Sequence, residues 1–382
     1  MTIPAYPAAR AVAPKVQAHF ASHIETARAY GRDDLPDPPS EAAVEALIDA
    51  AFWASLRREE GVTPTISLAY VPPDRAGHPL SFSAPLPLRP APLAKVAPAV
   101  ERPGIHLGVW HRGGDFHVWG TTRDVPAFCL VVEVVASGLL VIKHRSDPFG
   151  KFVNVAVLEG DQVKVVDGAG GVAVPDCPQV VRSLLGFVEG LTAPDKVNVL
   201  VEVAASMRAH GRGGTLLVVP SDAAAWRESV VSPLLYELSP PFKGLTDLLK
   251  SKPKGFGQAI HHEWQEDLRR AVEAIAGLTA VDGATVINDR YEVLALGAKM
   301  TRRRGSAPVE QVSYTEPVEG DARTLVAPTQ LGGTRHLSAA QFVHDQRDST
   351  ALVASQDGRF TIFRWSPCEE IVHAHRVDAL LL

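Results

Sequence analysis

Seven short runs of β-branched and aromatic residues constrain this fold most: 65–71, 105–111, 116–119, 128–135, 139–143, 152–158 and 163–166. Each is bounded by Gly, Pro or Asp, the punctuation of short strands. Runs of that length are not stable alone and must pair into a sheet. The pattern stops near Asp167–Gly171, and helical spacing resumes at 178–190 and 195–210. A chain of 382 residues is too long for one ordinary core, so this shift predicts two domains, 1–170 and 171–382.

The first domain opens with a predicted helix over 9–30, then a Pro/Asp-rich break over 33–39. Ser40 has the chemistry of an N-cap, and Glu41 suits the first turn. Val44, Leu47, Ile48, Ala51, Phe52 and Leu56 follow at helical spacing. The proline-rich stretch 72–103 reads as an irregular connection. In the second domain Leu200, Val203, Ala204 and Met207 form a buried stripe, followed by a buried strand at 215–219. A longer variable segment separates it from a helix over 259–276, with Ile260, Trp264, Leu268, Val272 and Ile275 along one side. Strands follow at 284–288 and 291–297, a helix at 338–346, and strands at 350–355 and 359–365. Asp357-Gly358 between the last two is a hairpin signal. No internal repeat is present. The fold class expected is α/β (α+β): a C-terminal mixed sheet flanked by helices, and an N-terminal β-rich α+β domain.

Composition excludes several functions. The net charge of −5 argues against nucleic-acid binding, which needs a basic footprint. Arg302-Arg303-Arg304 reads as a solvated loop. Cys129, Cys177 and Cys368 are odd in number and widely spaced, so neither a disulfide framework nor a zinc site is expected. The first fifteen residues carry Pro4, Pro7 and Pro14 and lack the apolar core of a signal peptide. The most apolar stretch, 127–142, contains Glu133 and reads as two strands hinged at Ser137-Gly138, not a membrane span. A cytoplasmic protein without membrane or nucleic-acid partners is expected. His106, His111 and His117 fit no standard ligand spacing. The neighbours His261 and His262 cannot point the same way on a helix.

Two motifs about fifty residues apart carry chemistry. Asp282-Gly283-Ala284 offers a carboxylate beside two small residues. Gly332-Gly333-Thr334-Arg335-His336 offers close backbone approach, a hydroxyl, a guanidinium and an imidazole. A carboxylate that can hold a metal and a Gly-rich loop that can hold phosphate are what nucleotide chemistry requires. The bland alternatives are a structural turn at Asp282, an Arg335 paired with Asp345 or Asp348, and a core histidine at His336. Gly211-Arg212-Gly213-Gly214 precedes a strand, not a helix, and reads as a turn.

In this order the elements and motifs of residues 178–366 resemble the diadenylate cyclase (DAC) domain, which makes cyclic di-AMP. Gly214-Thr215-Leu216-Leu217-Val218 resembles the family's "GALIV" strand. Asp282-Gly283-Ala284 matches its DGA motif, and Gly333-Thr334-Arg335-His336 matches the start of "GTRHR". Val353-Ala354-Ser355-Gln356-Asp357-Gly358 resembles "VVSEETG". The resemblance implies two facing domains, each holding one ATP, with each 3′-hydroxyl attacking the partner's α-phosphate. Asp282 would bind Mg²⁺ or Mn²⁺ and help activate the hydroxyl. Gly283, Ala284, Gly332, Gly333, Thr334, Arg335 and His336 would bind the nucleotide. No tightly bound cofactor is implied.

The sequence also departs from the family. Its arginine after the histidine is Leu337 here, its Ser-Glu pair falls on Val343 and His344, and its Leu-His before the DGA motif is Ala280-Val281. Losing charged donors aimed at a transition state costs orders of magnitude in rate. The pattern therefore resembles divergent DAC-like proteins with a sensor-type N-terminal domain of the DACNV kind, and Phe52-Trp53-Ala54-Ser55-Leu56-Arg57-Arg58-Glu59-Glu60-Gly61 is similar to a segment of such domains. The expected function is a nucleotide sensor binding ATP, cyclic di-AMP or a relative. The alternatives are an active diadenylate cyclase and an interaction module without a ligand. A homo-oligomer is required for cyclisation and optional for a sensor.

Overall fold

The computed structural model describes residues 5–59, 61–146, 152–168, 173–185, 199–253 and 258–382, with 258–262 as backbone only. They form two compact units, residues 1–166 with Leu382, and residues 167–381. Each contains a mixed sheet flanked by helices.

The first unit has helices α1 (Pro7–Ala29), α2 (Glu41–Ser55) and α3 (Pro90–Val96). Its strands are β1 (Ile66–Tyr70), β2 (Leu80–Pro87), β3 (His106–Arg112), β4 (Asp115–Thr122), β5 (Val131–Ala136), β6 (Leu139–His144), β7 (Val153–Glu159) and β8 (Gln162–Val165). They pair in the order β2-β4-β3-β1-β5-β6-β7-β8, with β1 and β3 parallel. Ser40 does cap α2, accepting from the Ala43 N–H at 3.2 Å. Val12, Val16, Phe20 and Ile24 recur every four residues on α1 and pack with Val44, Leu47 and Ile48 of α2. These stripes join Leu68, Leu107, Val132 and Leu140 in one core. The alternate residues Ala69 and Val131 join Trp119 in a smaller cluster, as the period of two along a strand requires.

The stretch 72–103 is not the irregular connection expected: it holds β2 and α3. Pro85 and Pro87 masked the strand. β2 is an edge strand whose register shifts between Ser81 and Leu86, the position where a sheet accepts proline. Pro90 starts α3, where its missing N–H costs nothing.

The second unit contains β9 (Gly214–Val219), β10 (Tyr236–Phe242), β11 (Ala284–Asn288), β12 (Val293–Ala298), β13 (Val312–Thr315), β14 (Thr324–Val326), β15 (Thr350–Ala354), β16 (Phe360–Ser366) and β17 (Ile371–Arg376). Its helices are α4 (Gln179–Leu184), α5 (Val199–Ala209), α6 (Gly244–Lys250), α7 (Gln258–Leu278), α8 (Pro328–Leu331) and α9 (Thr334–Asp345). The strand order is β10-β12-β11-β9-β15-β16-β17-β13-β14. β9 lies between β11, parallel to it, and β15, antiparallel to it. α9 buries Ala339, Ala340, Phe342 and Val343 against Leu217, Val286, Val353 and Phe363.

Two expectations change here. The variable segment before α7 contains β10 and α6. The helices expected over 178–190 and 195–210 are present as Gln179–Leu184 and Val199–Ala209, and residues 186–198 lie outside the described ones. The Thr-Arg-His segment is not a loop leading to a helix at 338; it is the first turn of α9, with Gly333 as N-cap.

Candidate functional site

β9 brings the two motifs to one end of the sheet. Ala284 pairs with Thr215 in the parallel register, so Asp282 and Gly213 each lie two residues before a paired position on neighbouring strands. On the other side Ala354 pairs with Gly214, which carries Ser355 and Gln356 to the same end.

Gly213 is the point of convergence. A Cβ there would stand 3.0 Å from Arg335 Nη1, 3.2 Å from Gln356 Cγ and 3.3 Å from the Ala354 carbonyl oxygen. Its φ of +69° also favours glycine. Gly211–Gly214 is thus the turn predicted, yet it also forms the floor against which Arg335 lies. Gln356 Nε2 donates to the Arg212 carbonyl at 3.4 Å, tying the β15–β16 turn to this floor. Arg208 Nε donates to the Gly358 carbonyl at 3.2 Å, and Arg359 pairs with Asp357 at 3.3 Å.

Asp282 is 89% exposed in its side chain, with Lys299 Nζ 3.8 Å from Oδ2. Gly283 has a φ of +103°, and a Cβ there would lie 2.5 Å from the carbonyl carbon of Gly297. The strict requirement for glycine at 283 is therefore a close approach between β11 and β12. Ala284 is buried and begins β11.

Thr334 and Arg335 are exposed at the start of α9, where first-turn N–H groups lack helical acceptors. Among the described residues Arg335 has no carboxylate partner; the suggested Asp345 sits at the far end of the helix. Nothing lies within 4 Å of a Cβ placed on Gly333. Gly332 is different: a Cβ there would meet His336 Nδ1 at 2.4 Å. His336 is 2% exposed, bonds Thr361 Oγ1 at 3.3 Å and sets its ring edge-on to Phe363. Burial pushes the imidazole below its ordinary pKa, partly offset by Asp357 and reinforced by Arg359 and Arg335. His336 therefore lies beneath the exposed pair as a packed, neutral support.

Leu337 is 38% exposed beside this end. Val343 lies in the core under α9, and His344 stands at the helix's other end, with Nδ1 3.1 Å from Asp345 Oδ1. Eight residues of α-helix separate His336 from His344, about 12 Å. Neither Val343 nor His344 faces the Arg335 end.

No group of three His, Cys, Asp or Glu that could hold a metal exists among the described residues. That covers His106 as well, which is buried and bonds Ser67 Oγ at 2.7 Å. The His261 and His262 side chains lie outside the described residues. One exposed carboxylate fits Mg²⁺ or Mn²⁺ only when phosphate oxygens complete the coordination. Gly213, Gln356 and Arg208 escaped sequence reasoning, although the resemblance of 353–358 had already marked the segment containing Gln356. No helix among the described residues is long and apolar enough to cross a membrane.

Residues 33–123, from the approach to α2 through β4, match the family described as "Probable sensor domain DACNV". The first unit thus carries a segment similar to a sensor family, and it includes Phe52–Glu59. No curated protein matches the chain. A solved structure described as a hypothetical membrane spanning protein from Bacillus cereus is similar at 13% identity, over 51% of this chain and 69% of that one, with a TM-score of 0.25. So loose an overlap carries no argument.

Proposed function

We propose that this protein is a sensor whose second unit binds an adenine nucleotide, ATP or cyclic di-AMP, at the end of β9. One observation carries the reading. Asp282-Gly283 and Thr334-Arg335, far apart in sequence, converge beside Gly213 at the start of one strand. Arg335 there has a guanidinium without a carboxylate partner among the described residues, over a floor of glycine. Such a fork suits phosphate oxygens. Arg208, Arg212, Arg359 and Lys299 add positive charge, against Asp282 and Asp357. The match to a sensor family supports the sensing role of the first unit.

A phosphate would accept from Arg335 and from the open first turn of α9. Mg²⁺ or Mn²⁺ would enter with the nucleotide, held by Asp282 and phosphate oxygens. In that arrangement Lys299 gives up its loose contact with Asp282. Leu337 supplies no donor where the DAC family has arginine, which favours binding over turnover. Titration of the full chain with ATP and with cyclic di-AMP tests the proposal, beside a turnover assay in Mg²⁺ and Mn²⁺. Saturable binding without cyclic di-AMP formation supports the sensor. Accumulation of cyclic di-AMP replaces it with the cyclase, and absence of binding by either nucleotide removes both.

A further inference from the structure

A cavity of about 600 Å³ lies at the end of β9 opposite Arg335. That volume falls within the range of small-molecule sites, about 300–1,000 Å³. Its walls come from Pro220 after β9, Trp226, the loop 303–306, the last residues of α9, and 346–349. From Gly214 to Val219 the strand spans about 17 Å, so the cavity is distinct from the Arg335 end.

The walls are fixed by internal bonds. The Asp345 side chain is fully buried and accepts from the Arg303 backbone N–H at 2.8 Å, from Gln341 Nε2 at 2.9 Å and from Ser306 Oγ. Its charge is thereby spent on holding the loop. Gln346 Nε2 donates to the Ala225 carbonyl at 3.0 Å and to Ser229 Oγ at 2.8 Å, fixing the facing wall. Arg303 is neutralised by Glu228 at 2.6 Å.

Two cations remain. Arg304 and Arg347 both line the cavity, are exposed, and have no carboxylate within ion-pair distance among the described residues. Arg347 stacks on Trp365, its guanidinium carbon 4.0 Å from the ring centroid. Stacking fixes the plane of the fork and leaves its edge free to donate. Opposing this, α9 points its C-terminal carbonyls this way and Asp348 stands at the rim. Any affinity is therefore moderate and salt-sensitive.

We propose that this cavity is a separate site for a compact polyanion, gripped between Arg304 and Arg347. Phosphate and carboxylate share the geometry that guanidinium recognises, so two probes distinguish them. The experiment is calorimetric titration of the full chain carrying Arg335→Ala, which weakens anion binding at the other end, with pyrophosphate and with citrate. At least one anion is expected to bind at one site per chain. Adding Arg304→Ala and Arg347→Ala is expected to weaken it at least tenfold, with the far-UV circular dichroism unchanged because both side chains are exposed and the fold loses only the Arg347–Trp365 stack. Arg302→Ala, an exposed neighbour outside the cavity lining, is expected to leave it intact. The proposal is overturned if neither anion binds, if binding survives loss of Arg304 and Arg347, or if Arg302→Ala weakens it equally.

Discussion

Arg335 and Gly213 are paired by exclusion: the guanidinium occupies space that any side chain at 213 would need. A Cβ on Gly213 would stand 3.0 Å from Arg335 Nη1. The Gly213→Ala variant must move Arg335 and hold alanine at a φ of +69°. The backbone term costs about 1–2 kcal/mol. The expected outcome is a melting temperature lower by a few degrees and nucleotide binding weaker by several-fold. Calorimetry and thermal denaturation of the purified variant read both.

Gly283 and Gly297 make a harder constraint, because both partners are backbone. A methyl group at 283 would lie 2.5 Å from the Gly297 carbonyl carbon, at a φ of +103°. Neither strand can yield without breaking the β11–β12 pairing. Gly283→Ala is expected to destabilise the protein by about 2–4 kcal/mol, measured by denaturant unfolding. An unchanged midpoint would contradict the close approach.

Val343 separates the sequence argument from the structural one. The resemblance to the DAC family sets a serine at this position, and from sequence the valine reads as a side chain that cannot hydrogen-bond where the family's can. The side chain is instead fully buried with Phe342, Ala351 and Phe363. Restoring serine buries a hydroxyl and removes apolar contact, at about 1–3 kcal/mol. Val343→Ser is expected to lower stability without creating cyclase activity, as unfolding curves and a turnover assay will record.

The first unit is expected to weaken in acid. His19 Nε2 and His144 Nε2 lie 3.1 Å apart, and His23 stacks on His19 at 4.0 Å. Burial, then His23 and His144, push His19 down to about 3; burial, then His23, pushes His144 to about 4. Both folded values lie below the unfolded one, so the unfolded chain binds more protons in between. The stability these groups contribute is complete above about pH 6.5 and is lost as pH falls toward 4. Thermal melts across that window are expected to drop for the wild type and to drop less for His144→Phe.

Much of the fold was legible because its strands are short, apolar and punctuated. Leu352, Val353 and Ala354 declare a buried strand, and Asp357-Gly358 declares its turn. β2 was hidden by Pro85 and Pro87, since proline signals an edge strand and an irregular segment alike. β17 was hidden by His373 and His375, polar residues that are almost fully buried. Within the site the motif residues were legible, but their depth was not. Thr334, Arg335 and His336 are consecutive, and only helical geometry turns the first two outward and the third into the core. Gly213 was invisible as a site residue because what matters there is the absence of a side chain.

Nucleotide binding at the start of β9 depends on Arg335 meeting phosphate. The most direct test is calorimetric titration of ATP and cyclic di-AMP into the wild type and into Arg335→Ala. Removing a charge-assisted contact worth about 1.5–3 kcal/mol predicts binding weaker by roughly 10- to 150-fold. The exposed position predicts an unchanged melting temperature. Nucleotide affinity equal in the two proteins would show that Arg335 does not meet phosphate.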